Sequence, residues 1–413
     1  MITTVPIHCS VSYLTERITQ AVDQSTLAND SLYAGNLGKA LYYFYYYRHT
    51  NNPVYQQQGE EILEAVFEKL TEGTSKLTRR IALSRGLSGL AWSLHILSNE
   101  KLIDYDVAPI VRPIDHSISR VVAHYIAHND LDFMHSSTGA LAYLTDRLEY
   151  NSELRDALED SVSALEKRLT KYRQGQYIQN LYIYKKYQYG EGSDVNLGIS
   201  HGLCSILLVL LQLHEGGICQ EKIAKIVEQN VLFILSTLRL ENTTDSRLSA
   251  FPSNTIVDLP LENEKNSFFY KQRMGWCYGD LNQVLLLYKA GMILGKREWI
   301  DIADQVGAFT LRKRSYEETK IEDIFLCHGT SGVAQFYKSL YQLSGHQQYL
   351  VGYDYWLQQT VKRLNNTFNS TKVDIAPGFL EGLIGTGLVL MNQELSSSSQ
   401  WEKLMLLNNQ PSL

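Results

Sequence analysis

The chain has 413 residues, of which 44% are apolar and 20% charged, and its formal net charge is −6. That length exceeds what one simple core sustains, so two domains or a closed array of repeated units are expected. The acidic balance, with no basic stripe carrying interleaved aromatics, gives no electrostatic reason to expect a nucleic-acid partner.

At the N-terminus, Met1-Ile2-Thr3-Thr4-Val5-Pro6 lacks the basic and apolar regions of a secretion signal. The aliphatic run Ile206 to Leu211 is far shorter than the roughly 20 residues needed to span a bilayer. A soluble, cytoplasmic protein is the expectation. The cysteines Cys9, Cys204, Cys219, Cys277 and Cys327 are odd in number, scattered and free of CxxC pairs. They predict thiols rather than a disulfide framework.

Along the chain, short glycine turns each precede an apolar run. Gly35 to Gly38 comes before "KALYYFYYY", Gly86 to Gly89 before "LAWSLHIL", and Ser136 to Gly139 before "ALAYL". Gly202 to Ser205 then precedes "ILLVLLQL", and Gly279 to Asn282 precedes "QVLLLYKAGMIL". Gly329 to Gly332 leads "VAQFYKSLYQL", and Gly382 to Gly385 leads "TGLVLM". A unit of about fifty residues therefore recurs seven times, with extra sequence in the third and fourth intervals. Glycine there permits a tight turn or a close approach of helix ends.

The second half of each unit is helical but more charged, as in "EEILEAVFEKL" (60–70), "QEKIAKIVEQNVLFILSTL" (220–238) and "WIDIADQVGAFTLRKR" (299–314). Apolar residues three and four apart mark one buried face, so each unit reads as a helical hairpin. The terminal units show no polar caps, which favours closure over an open solenoid. The predicted fold is all-α, an (α/α) toroid of seven hairpins with an inner and an outer helix ring, forming a single domain over 1–413. Insertions at about 173–195 and 239–270 lack a helical period and predict loops or short strands in a smaller lobe at the mouth. The Ser-rich segment 394–400 predicts a solvated loop.

Two turns carry metal-ligand chemistry. Cys277 lies two residues before Gly279, and Cys327-His328 immediately precedes Gly329. In a closed ring these equivalent positions converge. Two thiolates and one imidazole suit a tetrahedral Zn²⁺ with its fourth position open. A buried cysteine is more often a small hydrophobe, and Cys9, Cys204 and Cys219, which lack such partners, read that way.

The stretches "RMGWCYGD", "LCHGTSG", "GISHGL" and "PGFLEGLIGTGL" resemble the signatures of the lanthionine synthetase C-like family, the lanthipeptide cyclases, across essentially the whole chain. The resemblance implies an α/α toroid with one Zn²⁺ held by Cys277, Cys327 and His328. It also implies an activity: cysteine thiols of a dehydrated precursor peptide add to its dehydroalanine or dehydrobutyrine residues, closing lanthionine and methyllanthionine thioether rings.

Catalytic roles follow by the same resemblance. His201 matches the histidine that acts as acid, and Asp132 the acidic position that orients it or takes the thiol proton. Arg273 matches an arginine that holds the enolate oxygen or the Asp132 carboxylate, and Tyr278 is a candidate to offer its hydroxyl to the same oxyanion. Their plainer readings are helix capping and packing. His135 has no family counterpart. Four departures stand out: Ser136, Ser205 and Asn282 replace turn glycines, and "CYGDLN" lacks a proline. Asn tolerates left-handed backbone, which would preserve the turn.

The implied substrate is an extended precursor peptide drawn in by its leader, handed on by a separate dehydratase. Docking with that dehydratase and an ABC exporter at the inner face of the membrane is left open. Three other readings remain: glutathione addition to dehydroamino acids, a toroid prenyltransferase subunit, and a non-enzymatic helical-repeat scaffold for peptides. The prenyltransferase is disfavoured because its ligand set contains an Asp.

Overall fold

The computed structural model describes residues 7–172, 175–180, 194–370, 376–393, 395 and 399–408. In its first part come α1 (Ile7–Asp23), α2 (Asn36–Thr50), α3 (Pro53–Thr71), α4 (Leu87–Asn99), α5 (Ala108–Ala127), α6 (Ser137–Arg147) and α7 (Arg155–Glu166). Three short strands follow, β1 (Leu169–Tyr172), β2 (Gly175–Ile178) and β3 (Asp194–Asn196), then α8 (Leu203–Glu215) and α9 (Gln220–Leu235). Next are β4 (Asn254–Ile256), α10 (Glu264–Phe268), α11 (Asp280–Leu294), α12 (Arg297–Thr310) and α13 (Tyr316–Thr319). The chain closes with α14 (Thr330–Ser344), α15 (Gln348–Phe368) and α16 (Leu383–Met391).

Every turn of the repeat opens a helix. Gly35, Gly86, Ser136, Gly202, Gly279, Gly329 and Gly382 are the N-caps of α2, α4, α6, α8, α11, α14 and α16. These helices are buried on all sides; α8, for instance, buries every residue from Leu203 to Leu211. A helix apolar all round must be enclosed all round. The intervening helices bury one face, as α5 does with Val111, Asp115, Ile118, Val122 and Ile126. The three-and-four spacing seen in the sequence is that face.

Where the repeat pattern reads as one domain, the contacts cluster into two compact units. The first comprises Met1–Arg80, Ser84–Pro109 and Glu322–Asn409. Within it α14, α16, α2 and α4 pack side by side in that order, backed by α15, α1 and α3. The tyrosine run of α2 fills the seams: Tyr42 shares a 2.8 Å hydrogen bond with Thr19 of α1, Tyr43 donates to Asp23, and Tyr46 meets Tyr55 of α3 edge-on. A 3-10 segment, Gln400–Met405, packs against α4. Its fully buried Glu402 accepts from Gln335 and Asn392 and lies 3.7 Å from the equally buried Lys338 ammonium.

The second unit comprises Ile81–Leu83 and Ile110–Ile321. Here α6, α8 and α11 lie side by side, with α7, α9 and α12 behind them. Between α5 and α6, the buried carboxylate of Asp115 accepts from Tyr143, Arg147 and Asn151. β1 pairs antiparallel with β2, which packs on α9, and β3 pairs antiparallel with β4.

The segment 239–270 contains more helix than its sequence suggests. Beside β4 it holds a 3-10 turn, Leu240–Thr244, and α10, whose N-cap Asn263 accepts from the Lys265 amide. Both are too short to show a period. Asp280, in the first turn of α11, pins this segment by accepting from the Ala250 and Phe251 amides at 3.1 and 2.9 Å. Burial pushes the Asp280 carboxyl up and the neighbouring Lys313 ammonium down from their ordinary pKa values. Of the 173–195 insertion, residues 173–174 and 181–193 lie outside the described residues, as do 394 and 396–398 of the Ser-rich segment.

Candidate functional site

The backbone before each buried helix is hooked tightly onto it. A Cβ on Gly38, Gly139, Gly332 or Gly385 would sit 2.3, 2.1, 1.9 or 1.9 Å from the carbonyl oxygen six residues earlier, in Leu32, Phe133, Leu326 and Phe379. Only glycine lets the carbonyl approach so closely. At the fifth turn Asn282 replaces this glycine, and it does so without the left-handed backbone its residue type suggests. It is helical, and its side-chain amide donates to the Trp276 carbonyl six residues earlier at 3.0 Å. The left-handed conformation falls instead to Gly279, at φ 118°.

In the second unit three of these turns interlock. The Asn282 side chain accepts from the Ile199 amide at 2.9 Å, joining the α11 and α8 thresholds. Ser200 Oγ donates to the Cys277 carbonyl at 3.3 Å, and a Cβ on Gly198 would lie 2.4 Å from that same oxygen. Phe133, beside Asp132, packs its ring 6.3 Å from Trp276, beside Cys277. Cys277 is buried at 7% exposure.

His201 and Asp132 meet at this place. His201 Nδ1 lies 2.6 Å from Asp132 Oδ2, and both side chains are only 13% and 12% exposed. The other carboxylate oxygen accepts the His135 amide at 2.8 Å, which fixes the loop. A carboxylate facing Nδ1 favours the tautomer with its proton there. The His135 ring stacks on His201, centroids 5.6 Å apart.

Tyr278 and Arg273 have other neighbours. The Tyr278 hydroxyl is 3.5 Å from the Asn196 amide nitrogen, and its ring packs over Gly198. Arg273 lines a small cavity with Ser249, Asp280 and Lys313. Among the described hydrogen bonds, none joins Arg273 to Asp132 or His201.

The remaining turn belongs to the first unit. The Cys327 amide donates to the Leu380 carbonyl at 3.0 Å, coupling the α14 and α16 thresholds. Asp323 Oδ1 accepts the Phe325 amide at 2.8 Å, while its Oδ2 lies 2.8 Å from His328 Nδ1. His328 Nε2 is 3.5 Å from Glu381 Oε1. Cys327, His328 and Glu381 each offer a ligand atom within 4.8 Å of the others. A carboxylate beside one imidazole nitrogen is the kind of outer-shell neighbour that zinc-bound histidines have. The donor types fit a zinc ion. Asp323 and Glu381 were not singled out in the sequence, although Glu381 directly precedes the N-cap Gly382, as His328 precedes Gly329.

None of the described cysteines Cys204, Cys219, Cys277 and Cys327 forms a disulfide. Burial pushes the Cys204 thiol up, consistent with a packing role. The side chain of Cys9 is outside the described residues. Among the described residues no helix is long and apolar enough to cross a membrane.

Comparison with solved structures finds the structure titled "Nisin cyclase" at 21% identity, covering 97% of each chain with a TM-score of 0.76. That likeness shows the fold, the helical toroid class expected from the sequence. An α-1,6-mannanase from Salegentibacter sp. HEL1_6 (9% identity, 92% and 98% coverage, TM-score 0.46) is too distant to carry an argument. The same holds for an unsaturated glucuronyl hydrolase from Bacillus sp. GL1 (11%, 94% and 97%, TM-score 0.42). No curated protein matches the chain by sequence. The family model described as lanthionine synthetase C-like protein matches residues 26–406. With the seven repeat helices, the Cys-His turn and nearly the whole chain inside that match, the protein belongs to the lanthionine synthetase C-like family.

Proposed function

We propose that the protein is a zinc-dependent lanthipeptide cyclase, adding precursor-peptide thiols to dehydroalanine or dehydrobutyrine and so forming lanthionine and methyllanthionine rings. The observation that carries this reading is the Asp132–His201 pair, 2.6 Å apart and partly open to solvent, in a chain of this family. The proposed zinc ligands are Cys277, Cys327 and His328. A bound zinc ion supplies deprotonation of the substrate thiol at neutral pH, where a free thiol with a pKa of about 8.5 stays mostly protonated.

In the reaction a carbon–sulfur bond forms at the β-carbon, the carbon–carbon π bond is lost, and the α-carbon gains a proton in place of the one the thiol gave up. Asp132 holds His201 by Nδ1 and keeps Nε2 turned to the reacting carbon, where it delivers that proton. Arg273 and Tyr278 are proposed as donors to the enolate oxygen. The substrate is a dehydrated precursor peptide with its leader, received from a separate dehydratase.

The test uses a synthetic peptide with one dehydroalanine and one cysteine a few residues apart, followed by thiol alkylation and mass spectrometry. Cyclisation leaves the mass unchanged and removes the alkylatable thiol. A thiol that persists with the metal-loaded protein, while added glutathione is captured instead, would replace ring closure with intermolecular addition.

A further inference from the structure

His135 has no part in the proposed reaction, yet it is held beside the catalytic pair. Its amide is fixed by Asp132 Oδ1 at 2.8 Å, and its ring lies over His201 at 5.6 Å with an interplanar angle of 27°. Asp132, His135 and His201 each present a ligand atom, and these atoms all lie within 4.8 Å of one another. All three residues are half-buried, so an ion can reach them from solvent.

We propose that Asp132, His135 and His201 form a second divalent-cation site, distinct from the thiolate set, whose occupation blocks the proton-transferring pair. Two imidazoles and one carboxylate on one side of an ion, with open positions opposite, suit zinc, copper, nickel and cobalt rather than magnesium or calcium. The ion would displace the proton shared by His201 and Asp132, because ligand nitrogens bind metal only when unprotonated. Sharing of the three residues between two neighbouring turns makes the site intrinsic to the packing of α6 on α8. Cation binding here stands independently of the cyclase reading; only the inhibition rests on it.

Cobalt(II) titration of the full-length protein separates the two sites. A thiolate site gives sulfur-to-cobalt charge-transfer absorption in the near ultraviolet, whereas an imidazole–carboxylate site gives only visible ligand-field bands. Wild type is expected to show both events. His135→Gln should weaken the second by about tenfold or more and leave the first, since one of three ligands is gone. Cys327→Ala should remove the first and leave the second. His135→Phe, which keeps an aromatic ring against His201, provides the folded control should the glutamine variant lose its circular dichroism signature. Excess zinc should then slow thiol loss in wild type and slow it less in the His135 variants. A second event equally strong in wild type and both His135 variants, or no second event in wild type, overturns the site.

Discussion

Nδ1 of His201 lies 2.6 Å from Oδ2 of Asp132, across 69 residues of chain. The contact joins the thresholds of two neighbouring buried helices, and in the proposed reaction Nε2, the far nitrogen, carries the proton. A positioned general acid contributes about 10²–10⁴-fold. His201→Asn and Asp132→Asn should therefore each lower the single-turnover rate of thiol loss by that order, with KM nearly unchanged. The double variant should be no slower than the slower single variant, because the two act as one unit. Rates that multiply would show the pair to be two independent groups.

Asp323 faces the other nitrogen of His328 from 2.8 Å. Loss of such an outer-shell partner costs about 10–100-fold in metal affinity. Chelator competition on Asp323→Ala should show that weakening, and Asp323→Asn should recover part of it by holding the ring. Cys277→Ala and Cys327→Ala should abolish tight zinc binding outright. Undiminished zinc affinity in Cys277→Ala would remove that residue from the ligand set.

Asp115 is wholly buried beneath three donors, Tyr143, Arg147 and Asn151. Its removal leaves the 5%-exposed Arg147 guanidinium without its carboxylate. Breaking one partner of a buried ion pair costs about 3–5 kcal/mol. Urea unfolding of Asp115→Ala is expected to show a loss of that size, with Asp115→Asn milder because it keeps the shape and one acceptor. A loss below about 1 kcal/mol would mean that water replaces the carboxylate.

Glu318 supplies the pH-dependent contact. Hydrogen bonds from the Ser246 hydroxyl and from the Arg314 and Ser315 amides pull its carboxyl from 4.5 to about 2. A depressed folded value means the stabilisation is complete above the unfolded pKa, near 4.5, and is lost as pH falls towards about 2. Wild type should exceed Glu318→Gln in stability at neutral pH, and the gap should close through that acidic window. Denaturant titrations at a series of pH values measure it; a gap that stays constant down to the lower limit would assign the difference to packing.

The repeat was legible because its cause is local. Each buried helix needs a tight threshold, and the residues read as turn openers, Ser136 included, are the N-caps. The chemistry was only partly legible: Cys277 and Cys327 occupy the same register, but Glu381, grouped with Cys327 and His328, comes from another turn. The residue directly ahead of the cap is His135, His201, Tyr278, His328 and Glu381 in the last five turns. A scan of that one register would have exposed Glu381, which a search for cysteine and histidine passes over. Asp323 carries no such signal: it reaches His328 because Oδ1 is anchored on the Phe325 amide, a fact of loop conformation. Asn282 misled because the residue type suggests a backbone twist, whereas the side chain took over the missing contact as a hydrogen bond.

The carbonyls pressed against Gly38, Gly139, Gly332 and Gly385 also bear on how a floppy guest would be handled. Loops hooked down so closely surrender their freedom when the chain folds, not when a ligand arrives. On the proposed cyclase reading the entropic burden of each encounter then falls mainly on the visiting peptide, and stiffening that peptide, rather than remodelling the protein, is the direct route to tighter capture.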